Sequence, residues 1–218
     1  RNGKRKHPLR QIGCDGCKGC SSCCEGTGDT VVLNPSDVYE LTKHLQVSFE
    51  DMLNQKIELH VEEGMILPHI KMSEKTDKCV FLDKEGRCSI HPFRPGLCRL
   101  FPLGRNYESD GEMWESTGYR YFVLEDACPK AVKTKVKIDK WLSVNQLSRN
   151  EAFILDWHNF CRWFQNKLQK LFADGQDDYA KQLNLLVLNQ FFVKTYDIEQ
   201  DFYEQYYNRK KEIKDVVR

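Results

Sequence analysis

The sequence predicts an α+β protein in which an irregular, cysteine-rich half with short strands is covered by a C-terminal helical layer. Nine of the ten cysteines and 12 of the 13 glycines lie in the first 130 residues of the 218-residue chain, which is typical of turns and loops. From residue 139 onward, apolar residues instead recur at helical spacing. We therefore expect a cysteine-cluster region over 11–138 and a helical region over 139–218, packed together as a single domain.

The first half contains signals for two helices and several short strands. Asn34 and Pro35 predict a helix start, as N-cap and first helical residue, with an apolar face formed further along. Ser48 with Asp51 predicts a second N-cap that opens a short helix through Leu53. Strands are predicted at Val31–Leu33, Ile57–Val61, Met65–Met72 and Tyr119–Leu124, with a hairpin that joins residues 80–82 to residues 87–89.

The second half contains three apolar-periodic runs, each predicting a helix. Ser148 is the predicted cap of a helix that ends at Gly175. A second run starts at Asp177 and a third at Ile198. Aromatic residues are frequent in these runs, and at helical spacing they indicate packing positions in a core.

Overall charge and hydropathy exclude two classes of partner. The chain has 33 Lys plus Arg against 32 Asp plus Glu, so it lacks the basic excess that nucleic-acid binding favours. No apolar stretch approaches the roughly 20 residues of a membrane span. We expect a cytoplasmic protein that binds neither nucleic acid nor membrane, in a compartment where thiols stay reduced.

Five cysteines crowd the segment 14–24, at Cys14, Cys17, Cys20, Cys23 and Cys24. Each Cys-x-x-Cys step lets two thiolates reach one metal or cluster from a tight turn. Successive steps exceed what a mononuclear turn needs, and iron–sulfur sites use such runs with a distant Cys-Pro, a form that Cys128-Pro129 has here. Metal binding is favoured over disulfides or free thiols, because near-contiguous cysteines pair poorly in a reducing compartment.

Three further cysteines, Cys79, Cys88 and Cys98, follow at wider spacing. His91 stands three residues after Cys88, where it could complete a zinc site. The alternative is that His91 only caps the turn before Pro92.

These motifs together resemble the YkgJ-like CxxCxxCC family of zinc- or iron-chelating cysteine-cluster proteins. The first signature is Cys17-Lys-Gly-Cys20-Ser-Ser-Cys23-Cys24. The second runs from Cys79 through Arg87-Cys88 to Arg94-Pro95-Gly-Leu-Cys98-Arg99-Leu-Phe101-Pro102, and Cys128-Pro129 fits the last cysteine of the family. The resemblance implies eight metal ligands: Cys17, Cys20, Cys23, Cys24, Cys79, Cys88, Cys98 and Cys128. Cys14 and Cys161 fall outside the pattern, and Cys161 is predicted to be a core residue of an apolar helix.

The same family includes proteins similar to flagellin lysine N-methylase. This implies an iron–sulfur-dependent methyl transfer from S-adenosylmethionine to a lysine of a protein substrate. Because the chain has no glycine-rich Rossmann fingerprint, we expect any methyl donor to bind near the cluster.

Three functional interpretations follow. The first is a metal-binding protein that carries a [4Fe–4S] cluster, and the second is the methyltransferase that uses it. The third is an interaction protein with structural zinc in closed sites. Arg94 and Arg99, which flank Cys98, are predicted either to bind a substrate carboxylate or phosphate or to support the site structurally.

Overall fold

The computed structural model describes residues 9–13, 20–109, 115–128 and 134–217. Within these ranges it mixes helices with short antiparallel strands, and the long helices lie in the C-terminal part of the chain. The predicted α+β class is confirmed.

The strands of the described residues form three separate two-stranded antiparallel sheets. Strand β1 (Leu9–Gly13) pairs with β6 (Thr134–Lys137), β2 (Ile57–Glu62) with β3 (Met65–Ile70), and β4 (Leu103–Ser109) with β5 (Ser116–Val123). The β2–β3 connection is Glu63-Gly64, and both residues have positive φ. This conformation suits a two-residue hairpin turn, since its twist matches that of the flanking strands.

Local capping signals set the first two α-helices of the chain. Helix α1 (Pro35–Leu45) starts with Asn34 as N-cap, whose side chain accepts from the Asp37 amide. Helix α2 (Phe49–Gln55) starts with the same reciprocal arrangement between Ser48 and Asp51. Both predicted helix starts are confirmed, and each capping box pairs backbone amides that a helix start would leave without partners.

Two predicted strands of the first half are reduced to isolated bridges. Val31–Leu33 joins β3 only through a bridge between Val32 and His69 and two flanking hydrogen bonds. The predicted hairpin of residues 80–89 has one bridge, between Leu82 and Cys88. Backbone hydrogen bonds from Asp83 to Arg87 and from Ser89 to Phe81 flank this bridge, and the Asp83 side chain accepts from two amides of the turn.

The second half contains four helices. They are α4 (Ile138–Leu142), α5 (Leu147–Ala173), α6 (Asp177–Leu188), which continues into a π-turn at Asn189–Val193, and α7 (Phe202–Val216). The predicted N-cap at Ser148 was wrong: Gln146, in the left-handed conformation, precedes the helix and its carbonyl accepts from Arg149 and Asn150. Helix α7 starts after the predicted Ile198, because the Asp201 side chain caps the Glu204 amide.

A large apolar core lies between the helices and the β2–β3 hairpin. Its largest side chains that are fully buried include Phe153, Phe160, Phe164, Phe191 and Tyr206. A second, small cluster joins β1, β4, α4 and α3 (Gly96–Leu100) through Ile12, Leu100, Leu103, Ile138 and Leu142. Cys79 and Cys88 pack against the larger of these two cores.

No helix in the described ranges combines the length and the apolar character that crossing a lipid bilayer requires.

Candidate metal centre

Six cysteines from separate segments line one cavity of about 730 Å³, which we call the thiol cavity. The rest of its wall is mostly apolar and includes Ile70, Phe81 and Leu100. The six cysteines are Cys20, Cys23, Cys24, Cys79, Cys88 and Cys98. They come from three parts of the sequence that are separated by more than 50 residues at the first gap. The fold therefore gathers thiols that sequence spacing alone leaves far apart.

Backbone pairing brings the first and second cysteine segments together. Cys23 and Cys24 end a short 3-10 turn over Ser22–Cys24. The Cys79 amide donates to the Cys24 carbonyl at 2.8 Å, next to a bridge between Glu25 and Lys78. These contacts hold Cys24 and Cys79 side by side at the wall of the thiol cavity.

The third segment is positioned from the other side of the cavity. Cys98 lies on α3, and the Gly96 amide at the start of that helix donates to Asp37 Oδ1 of α1 at 2.7 Å. Asp37 is buried, and this burial raises its pKa to about 6 although two backbone amides and the charges of Arg105 and Arg99 favour the carboxylate. The contact ties the Cys98 helix to the scaffold rather than to the other cysteines.

The two adjacent cysteines form an asymmetric pair. Their sulfurs are 3.9 Å apart, and the hydrogen bond from the Cys24 thiol, with the charge of Arg94, lowers the pKa of Cys23 to about 6. The same hydrogen bond, burial and the charges of Cys23, Cys79 and Cys88 raise the pKa of Cys24. Ionisation of Cys23 is thus favoured, and the resulting thiolate disfavours ionisation of Cys24.

Three other cavity thiols, Cys79, Cys88 and Cys98, are also held in the neutral form. Burial, together with the neighbouring cysteines, raises the pKa of Cys79 and Cys88, and raises that of Cys98 to about 12. Each of these thiols acts on the others as a like charge when ionised, so they lie within electrostatic range of one another. A bound cation would relieve this repulsion and stabilise the thiolates.

In the described residues, the cavity thiols are not arranged around a single point that a metal ion could occupy. Over the described residues, no three or more His, Cys, Asp or Glu side chains are placed to hold a metal ion as they stand. The chemistry of the donor set nevertheless fits a thiophilic metal. Each cysteine of the cavity offers a sulfur ligand, and proteins bind both zinc and iron–sulfur clusters through cysteine thiolates.

A comparison with protein families matches this part of the chain. The model of the CxxCxxCC family, described as a "Putative zinc- or iron-chelating domain", covers residues 16–129, slightly more than half of the chain. The chain belongs to the CxxCxxCC family. The match supports a metal-binding cysteine-cluster protein. No curated protein and no solved structure matches the chain.

The segment matched to the CxxCxxCC family contains eight of the ten cysteines and excludes Cys14 and Cys161. Of those eight, Cys17 lies outside the described residues, as do Cys14 and Pro129. Cys128 is half-buried and is not part of the cavity wall, although Leu124 and Ala127 just before it are. Cys161 of α5 packs against the main core, and burial raises its pKa.

The three other residues singled out from the sequence take different positions. His91 lines the thiol cavity, and burial with the charges of Arg94 and Arg99 lowers its pKa, which favours the neutral imidazole that binds metals. Arg94 also lines the cavity. The Arg99 guanidinium donates to the backbone carbonyls of Arg94, Pro92 and Ser143, so its hydrogen bonds serve the loop around Cys98.

Two features near the CxxCxxCC motifs are not predicted by the sequence. Arg87 lines the thiol cavity beside Cys88, and Arg105 of β4 approaches Asp37 closely enough to favour its carboxylate. Arg87 could have been found from its place next to a predicted ligand. Nothing in the local pattern around Arg105 indicates its position, because it depends on the pairing of β4 with β5.

Proposed function

We propose that the thiol cavity binds a [4Fe–4S] cluster, with ligands drawn from Cys17, Cys20, Cys23, Cys24, Cys79, Cys88, Cys98 and Cys128. The observation that carries the proposal is the convergence of six thiols on one largely apolar cavity. The family assignment supports the coarser statement that this protein chelates zinc or iron.

The number and type of donors favour a cluster over a single zinc ion. A structural zinc site takes four ligands in a closed tetrahedron, often with histidine among them. Six thiols in one cavity exceed that number, and clusters are held by cysteine thiolates alone in the most common cases. The eight proposed ligands would also suffice for a cluster together with a zinc ion.

The protein's own residues give the site its electrostatic character. The apolar wall of Ile70, Phe81 and Leu100 limits water, which strengthens interactions between charges inside the cavity. Arg94 supplies positive charge next to Cys23 and so offsets part of the negative charge of bound thiolates. A bound [4Fe–4S] cluster would supply one-electron chemistry, whose potential depends on this burial and charge.

The test is the metal and acid-labile sulfide content of protein that is purified without oxygen, together with its visible spectrum. The proposal predicts iron and sulfide in equal amounts and absorption near ~400 nm, as expected of a cysteine-ligated cluster. Zinc without sulfide would contradict it and support the alternative, a structural zinc protein. In that case His91, which lines the same cavity, becomes a candidate nitrogen ligand.

A second candidate function is methyl transfer from S-adenosylmethionine to a protein lysine. Its support is the resemblance to proteins similar to flagellin lysine N-methylase and the presence of Arg94 at the cavity wall, where it could pair with the carboxylate of the methyl donor. In this reaction the bond from the donor's sulfur to the methyl carbon breaks and a bond from the lysine nitrogen to that carbon forms. The lysine releases a proton, and S-adenosylhomocysteine leaves.

Binding of S-adenosylmethionine to protein with an intact cluster tests this candidate. We expect saturable binding that weakens about tenfold in Arg94→Gln, since a charge-assisted hydrogen bond is lost, while Arg120→Gln leaves it unchanged. Arg120 is 82% exposed on β5, far more open than Arg94. If the cluster is present and no binding occurs, the enzyme interpretation fails and the metal-binding one stands.

A further inference from the structure

A second cavity, which we call the arginine cavity, shares the lining residue Arg94 with the thiol cavity. Its volume is about 560 Å³, within the range of small-molecule sites. Arg94, Arg99 and Arg105 all line it. Three guanidiniums in one concave site repel each other unless negative charge lies among them.

The carboxylates of the cavity wall compensate this charge only in part. Asp37 and Glu40 are the acidic residues of the described wall. The Asp37 carboxyl accepts hydrogen bonds from the Asn34 and Gly96 amides, and its burial disfavours the charged form. The cavity wall therefore has three guanidiniums and two carboxyl groups, and the charged form of one carboxyl group, Asp37, is disfavoured by burial. The cavity is left with net positive charge.

Two of the guanidiniums retain unused donors. Arg99 is occupied by backbone carbonyls. By contrast, the Nε atoms of Arg94 and Arg105 are buried and meet no hydrogen-bond acceptor in the described part of the chain. These two Nε atoms have no accessible surface, so an acceptor that enters the cavity would reach the terminal nitrogens of the same guanidiniums.

Arg105 is held in place by aromatic residues of β5. Its guanidinium lies over the rings of Tyr119 and Tyr121, at 5.4 and 5.8 Å from the ring centroids. These cation–π contacts, together with a hydrogen bond between the guanidinium and Tyr119, hold the guanidinium in a fixed orientation. A guanidinium that is oriented beforehand loses little entropy when it binds a carboxylate or phosphate.

Neutral polar groups complete the cavity. Asn34, Asn145 and Asn150 contribute side-chain amides to its wall, and amides can donate to oxygen atoms or accept from hydroxyl groups of a ligand. The combination of arginines with several amides is suited to a small, polar, negatively charged molecule and not to an apolar one.

We infer that the arginine cavity binds a small molecule bearing a carboxylate or phosphate group, with Arg94 and Arg105 as the groups that contact its oxyanion. Because Arg94 lines the thiol cavity as well, the bound anion would lie next to the metal centre. The inference needs no particular metal in the thiol cavity.

Calorimetric titration of the full, metal-loaded chain in chloride buffer tests this, with inorganic phosphate in one arm and succinate in the other. We expect saturable binding in at least one arm, and the arm that binds identifies the oxyanion. Arg105→Gln should weaken that binding about tenfold or more. Arg120→Gln, which removes the same charge from an exposed site on the partner strand, should leave it within twofold.

Absence of saturable binding to the wild-type protein in both arms would overturn the inference, as would equal binding by Arg105→Gln and the wild type. If Arg105→Gln does not fold, Arg105→Lys replaces it: this variant keeps the charge but loses the planar fork, and binding should still weaken several-fold. Metal content measured on the same samples separates the two proposals, because loss of anion binding with metal retained leaves the proposed function standing.

Discussion

Arg209 places a charged guanidinium inside the helical layer, where it is 6% exposed. It donates to the carbonyls of Gln190, Lys194 and Thr195 and lies 3.6 Å from the centroid of the Tyr196 ring. The π-turn ends in this region, so these carbonyls have no helical partners of their own. Arg209 thus stabilises the end of one helix from the middle of another.

Replacement of Arg209 by Ala should lower the free energy of unfolding by about 3 kcal/mol, because several buried carbonyls lose their donor at once. Urea denaturation monitored by circular dichroism measures the change. Lys211→Ala, at an exposed position of the same helix, is the control and should change stability by less than about 0.5 kcal/mol. A similarly small effect of Arg209→Ala would show that water replaces the guanidinium without cost.

Asp37 is the residue whose ionisation should affect stability most directly near neutral pH. Its pKa rises from the ordinary value of 3.8 to about 6 in the folded state because of burial. A carboxyl with a raised folded-state pKa stabilises the fold below that pKa and loses this contribution as the pH rises through it. Stability from this group should therefore increase as the pH falls from 7 to 5.

The measurement is the free energy of unfolding of wild type and Asp37→Asn at pH 7 and pH 5, with equal metal content. The advantage of the wild type over the variant should grow by about 1 kcal/mol between these values, since the amide does not titrate. A difference that stays constant or shrinks toward pH 5 would contradict a raised pKa at Asp37.

At the scale of elements, α6 is joined to the β2–β3 hairpin by one buried amide. Asn184 Oδ1 accepts from the Ile66 amide at 2.9 Å, and Nδ2 donates to the Gly64 carbonyl at 2.8 Å. Both backbone groups lie at the hairpin turn, and Asn184 is 4% exposed. The side chain therefore fixes the register of the helix against the turn.

Asn184→Ala should destabilise the fold by about 2 kcal/mol, because two buried backbone groups lose their partners. The exposed neighbour Gln182→Ala is the matched control on the same helix. Faster amide hydrogen exchange at Ile66 in the Asn184 variant alone would locate the effect. Unchanged exchange at Ile66 would mean that the hydrogen bond seen in the structure does not protect it.

The elements predicted correctly are those with local signals. Asn34 and Ser48 cap their helices through contacts within three residues, so their sequence patterns are sufficient. Strand β4 gives no such signal, because Gly104, Arg105 and Asn106 interrupt any apolar alternation and the strand exists through its pairing with β5. The π-turn after α6 likewise depends on the distant Arg209, which no local pattern reveals.

At the scale of the whole molecule, the family motifs indicate cysteines that the fold brings to one cavity, but not the residues around that cavity. Six of the eight cysteines that the resemblance implies as ligands line it. The arginine cavity could not be predicted in the same way, because Arg105 and Asn150 reach it through sheet pairing and helix packing. The sheet formed by β1 and β6 joins distant parts of the chain for the same reason.

Metal content per chain in two matched variants tests whether the thiol cavity is the metal centre. Cys79→Ser removes a thiol that lines the cavity, whereas Cys161→Ser removes a partly buried thiol of α5 that does not. If the thiol cavity is the metal centre, Cys79→Ser should lose at least half of the metal, with circular dichroism reporting any accompanying unfolding, and Cys161→Ser should keep the wild-type amount. Wild-type metal content in Cys79→Ser, or equal loss in both variants, would contradict it.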